Sequence, residues 1–153
     1  MLAGALLSTS IACEDNGPTA PGEPLPFSSF YETWNSGIVS ARAEVIRDEQ
    51  RWAAVWSEIQ GSDPTPEPRP TVDFTQDMLV LVGIGERPSS CWGVSILSLD
   101  SSAGRIHVRS EERRPGANCV CFAVMTRSVH VVRAARTDGA LSSEIVSRNV
   151  GCP

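Results

Sequence analysis

No lysine occurs anywhere in the chain, and all 13 of its basic residues are arginine. That absence excludes a lysine Schiff base and a P-loop, whose lysine must reach nucleotide phosphates. Histidine is scarce, with two in 153 residues. Neither His107 nor His130 has a nucleophile or an orienting acid beside it in sequence, so neither reads as a catalytic base. Each points away from its strand's apolar face, which predicts surface positions. The motifs G-x-S-x-G and H-E-x-x-H and a glycine-rich phosphate loop are also missing. The formal net charge of −5 opposes sequence-independent binding of nucleic acid. The expectation is a protein that is not an enzyme, holds no cofactor or metal, and has no nucleic-acid partner.

What is present begins with an address. "MLAGALLSTSIAC" is an apolar run of twelve residues before Cys13. It falls short of the ~20 apolar residues that span a bilayer. It resembles the core of a secretory signal followed by a bacterial lipoprotein box, with Ser10, Ile11 and Ala12 preceding the cysteine that would carry the lipid. No Arg precedes the run, which predicts a natural start further upstream. Residues 13–26 are rich in proline, glycine and acid, a composition that reads as a disordered tether. The expected organisation is therefore a signal core over 1–12, a tether over 13–26, and one globular domain over 27–153. That domain is exported, anchored to the membrane by lipid on Cys13.

The cysteine count fits that compartment. Setting Cys13 aside leaves Cys91, Cys119, Cys121 and Cys152, an even number in an oxidising environment. Cys119 and Cys121 lie in "NCVCFAVMT", which reads as a strand, so both would point to one face and reach different partners rather than each other. A metal site would need two further ligands from His107, His130, Cys91 and Cys152, and C-x-C on a strand is a weak signal for one. "SSCWG", residues 89–93, echoes the cysteine of papain-like proteases, but there the cysteine opens a helix, and here it leads into a strand. Crosslinking is the reading that remains.

The remaining pattern gives the fold class. "RDEQRWAAVWSEIQG" predicts a helix with Asp48 as N-cap and Gly61 as its stop, and with Trp52, Val55, Trp56 and Ile59 on one apolar stripe. "GIVSARAEVI" alternates as a half-buried strand with Val39, Ala41, Ala43 and Val45 on one face. "MLVLVGIG" is continuously apolar and reads as a central strand. "GVSILSLD", "RIHVRSEE", "SVHVVRAAR" and "LSSEIVS" follow between turn signals. The class is α+β with β dominant: a mainly antiparallel sheet with one amphipathic helix packed on it. Asp73 and Asp77 flank a strand start and read as turn-closing residues.

These features, in this order, resemble the protease-complex-subunit PrcB family of small exported bacterial domains. The likeness covers roughly residues 37–136. It rests on Arg47, Trp52 and Trp56, on Val72-Asp73-Phe74, on Gly85 with Arg87-Pro88, and on Pro115-Gly116 with Cys119. The resemblance implies a non-catalytic, accessory role beside a secreted protease, as a protein-interaction module. The turn "ERPSSCWG" would present Arg87, Pro88, Ser89, Ser90 and Trp92 to the partner. The alternative is a protease inhibitor acting through the same loop, residues 86–93, stiffened by a disulfide at Cys91. With the family pattern placing Cys119 at a strand entrance, the preferred pairing is Cys119–Cys152 and Cys91–Cys121, and the swapped pairing is the close competitor.

Overall fold

The computed structural model describes residues 22–61 and 63–151. The signal core, lipidation at Cys13, most of the tether, and Cys152 fall outside the described residues. The chain runs β1 (Glu23–Pro24), β2 (Phe27–Thr33), β3 (Arg42–Ile46), α1 (Glu49–Gln60), β4 (Asp77–Arg87), β5 (Gly93–Ser102), β6 (Arg105–Pro115), β7 (Thr126–Ala135) and β8 (Ala140–Val150). The class is α+β with β dominant, as expected. Instead of one sheet there are two, each of four strands, ordered β1-β5-β6-β8 and β2-β7-β4-β3. Every pairing is antiparallel except β6 with β8, which is parallel.

The helix forms where its local signals put it. The Asp48 side chain accepts from the Arg51 amide at 2.7 Å, and Gly61 closes the last turn at φ 56°. Trp52, Val55, Trp56 and Ile59 are buried against Leu79, Leu81, Val129 and Val131 of the second sheet. Both indole N–H groups find carbonyls: Trp52 donates to Pro70 at 2.9 Å and Trp56 to Glu67 at 3.0 Å. The proline-rich loop is thus pinned over the helix by the same residues that anchor the helix to the sheet.

The other face of that sheet is buried as well. Met78, Val80, Val82 and Ile84 of β4, with Val132 and Ala134 of β7, pack against Val94, Ile96, Leu99, Ile106 and Val108 of the first sheet. The molecule is three layers: helix, sheet, sheet. A strand covered on both faces needs no polar alternation, which is why "MLVLVGIG" is apolar throughout.

Four expectations are corrected. The fold does not begin at Phe27, because β1 pairs with Asp100 and Ser101 and Leu25 packs into the inter-sheet core. The strand expected from Gly37 begins at Arg42. Gly85, at φ 70°, brings its backbone so close to Val39 and Ala41 that a Cβ would lie 2.8 Å from the Val39 carbonyl. That contact holds 37–41 as a loop, burying Ile38 and leaving Val39 exposed. "NCVCFAVMT" is not a strand: residues 116–125 are irregular and β7 starts at Thr126. His130 is not on the surface. It lies buried between the sheets, where its Nδ1 accepts from the Ile96 amide at 2.9 Å and its Nε2 lies 3.0 Å from Ser29 Oγ.

Candidate functional site

The loop expected to be displayed is bound down. Arg87 donates from Nε to Glu112 Oε1 at 2.7 Å. Arg114 donates to the other carboxylate oxygen through Nε at 2.9 Å and Nη2 at 2.8 Å, and Ser147 Oγ donates there at 3.2 Å. Glu112 is buried, so two arginines and a hydroxyl replace the water it loses. Burial pushes its carboxyl up, but the hydrogen bonds and charges of Arg114 and Arg87 outweigh that and hold it below the usual carboxylate range. Trp92 sits within reach of both guanidinium groups, with Arg87 5.5 Å and Arg114 5.7 Å from its ring centre, and its body packs into the inter-sheet core. Arg87 and Trp92 are therefore half-buried rather than freely displayed, with Arg87 braced against Glu112. Pro88 is exposed, and Ser89 and Ser90 are half-buried.

Ser89 and Ser90 hold the neighbouring segment. Thr126 Oγ1 donates to the Ser89 carbonyl at 2.9 Å. The Ser90 amide donates to the Phe122 carbonyl at 3.1 Å, and the Phe122 amide donates to Ser90 Oγ at 3.1 Å. One residue along, Cys91 and Cys121 form a disulfide across a Cα separation of 5.6 Å. A tight turn follows, with the Val124 amide donating to the Phe122 carbonyl at 2.9 Å. Cys119 is also disulfide-bonded, and Cys152, the partner expected for it, lies outside the described residues. Loop 86–93 thus serves as the bracket on which 119–125 is mounted.

That mounted segment carries four of the eight large apolar side chains that are exposed among the described residues. Val120 is 98% exposed and Phe122 80%, and Val124 and Met125 are exposed beside them. Trp34, 56% exposed, accepts at its carbonyl from the Arg127 amide and shares an open cleft of about 360 Å³ with Ser90, Cys91, Trp92 and Arg113. Val120, Phe122, Val124 and Met125 are thus grouped on one braced segment rather than scattered singly. Sequence reasoning missed Val120, Phe122 and Trp34. The available signal was the pair of cysteines flanking Val120 just after a Pro-Gly turn, which fits a stapled loop as well as a strand.

His107 lies 3.1 Å through Nε2 from Ser102 Oγ on the outer sheet. Asp73 closes a turn, accepting from the Thr75 amide and hydroxyl. Among the described residues no three His, Cys, Asp or Glu side chains are grouped to hold a metal ion. Searches for a matching protein family, a curated relative and a similar solved structure found none.

Proposed function

We propose that this domain is a non-catalytic protein-interaction module working outside the cytoplasm, tethered by lipid on Cys13, in an accessory role beside a secreted protease. The observation that carries the reading is the 119–125 tip. Its apolar side chains gain by leaving water, and the disulfide and Ser90 fix their arrangement beforehand, so little ordering entropy opposes docking. Phe122 and Trp34 are large aromatic anchors of the kind that dominate interface energy. The disulfide fits an oxidising compartment. The partner class comes from the resemblance to the PrcB family alone.

The test is a photoreactive phenylalanine analogue at Phe122 in the producing cell. An adduct with an exported protease or its complex is expected, and Val120→Asp should abolish it. Crosslinks to lipid alone would remove the protein-partner reading. The inhibitor alternative also moves from 86–93 to this tip, where Val120 stands between two disulfide-bonded cysteines. Cysteines on both sides would keep a cut segment in place. Stoichiometric inhibition in a panel of secreted endopeptidases, lost in Val120→Asp, would favour it over an accessory subunit.

A further inference from the structure

Among the described residues the two sheets end in four edge strands, β1, β2, β3 and β8. An edge offers unpaired amides and carbonyls to any other strand, and folded proteins blunt edges by shortness, proline, bulges or covering charges. Three of these edges carry such a device. β1 is two residues long and includes Pro24. β2 is broken by a register shift between Ser29 and Tyr31. β3 has five residues, and its Arg42 and Glu44 are tied to Glu58 and Arg51 of the helix. β8 carries none. It runs eleven residues in unbroken register against β6, from Ala140 opposite Arg105 to Val150 opposite Pro115, and contains no proline.

The side chains of β8 are self-complementary. Ser142 and Glu144 line the outer surface of the sheet with His107 and Arg109. Strand alternation puts Val146 and Arg148 on that face too. A two-fold axis at Val146 sets Glu144 opposite Arg148 of a second copy, and Arg148 opposite that copy's Glu144. Moving the axis to Ile145 or to Ser147 leaves both charges facing neutral residues. Arg148 lies 2.9 Å from Glu111 of its own sheet and is 62% exposed at its side chain, so it has room to take a second carboxylate. On the opposite face Ile145, exposed, lines a groove of about 200 Å³ with Ala41, Ala43 and Val82 between the two sheets. The same axis brings the two Ile145 side chains diagonally across from each other.

We propose that β8 pairs antiparallel with β8 of a second copy of this chain about an axis at Val146, joining two four-stranded sheets into one of eight strands. Main-chain hydrogen bonds supply the association, and the paired charges, each a small contribution, select the register. This inference does not depend on what the 119–125 tip binds.

Sedimentation of the full chain in mild detergent tests it, over concentrations from about 1 to 100 μM, where a modest interface of this kind associates. A monomer–dimer equilibrium is expected. Glu144→Arg and Arg148→Glu, each placing like charges opposite, should weaken it by about tenfold. The double variant E144R/R148E should restore it. A chain that stays monomeric throughout, single variants that dimerise like the parent, or a double variant that fails to recover each overturn the proposal. Two measurements avoid reliance on those variants. Val146→Cys should form an interchain disulfide across the axis, and a dimer without that crosslink rejects the register. Hydrogen exchange of β8 amides in the unaltered chain should slow as concentration rises, and exchange independent of concentration rejects the pairing.

Discussion

Among the described residues Glu112 and His130 are the two buried ionisable side chains, and they solve the cost of burial in opposite ways. Glu112 keeps its charge because Arg87 and Arg114 answer it. Removing both arginines, as Arg87→Met with Arg114→Met, strands a buried carboxylate and should cost about 3–5 kcal/mol. Glu112→Gln leaves two arginines that still reach water and should cost about 1 kcal/mol. Urea unfolding compares them, and an equal loss would show that the carboxylate is solvated. His130 instead stays neutral. Burial holds its imidazole below the ordinary value of 6.5. Because Nδ1 accepts from the Ile96 amide, the ring proton sits on Nε2 and is donated to Ser29 Oγ. Protonating Nδ1 would remove its acceptor role.

The two groups act in separate pH windows. The folded His130 binds a proton less readily than the unfolded one, so its contribution is complete above about pH 6.5 and is lost as pH falls below that value toward the folded one. Glu112, whose folded value is lowered, keeps its contribution until the pH falls below the ordinary carboxylate value of 4.5. Stability measured from pH 8 downward should therefore decline in two steps, and His130→Gln should remove the upper one. A flat profile between pH 7 and 5 would mean that His130 is not held neutral.

α1 and the bracketed tip are each held by a few identifiable contacts. Trp52→Ala should cost about 3–5 kcal/mol as a large-to-small core change, and it also leaves the Pro70 carbonyl without its donor. A loss under about 1 kcal/mol in urea unfolding would mean that the helix is not seated on the sheet. Cys91→Ser with Cys121→Ser opens a closure of 30 residues and should cost about 3–4 kcal/mol. Limited proteolysis should then cut near Phe122 first.

The helix was legible because its caps and stripe are local. β4 was legible because burial on two faces writes a continuous apolar run. β2 was not: the shift between Ser29 and Tyr31 breaks the alternation, so Phe30 and Tyr31 both reach the helix-side core. The tip was misread because Val120, Phe122 and Val124 alternate as a buried strand would. The Cys91–Cys121 disulfide and the Ser90 bonds, both made with a distant part of the chain, help to turn that alternation outward. His130 was placed on the correct side of β7, but its sequence neighbourhood says nothing of a second sheet covering that side. The bracket at Arg87 and Trp92 was hidden for the same reason, since Glu112 stands 25 positions from Arg87.

For the whole molecule, membrane fractionation tests the proposed anchor. Cys13→Ser, expressed from its authentic start, should move the protein to the soluble fraction. Unchanged fractionation would remove lipidation at that residue.

Phe27 at the start of β2 pairs with Ala134 near the end of β7, and Glu23 in β1 pairs with Ser101 in β5. The first strands to emerge are partners of late ones, while β8 needs β6 already in place. Such distant pairings close slowly. A fragment ending at residue 124, before β7, should lack a cooperative melt, because β4 and β2 would then lose the strand that joins them. A chain threaded N-terminus first through a narrow channel would accordingly remain pliant until nearly all of it had passed, and would lock only when its last strands arrived.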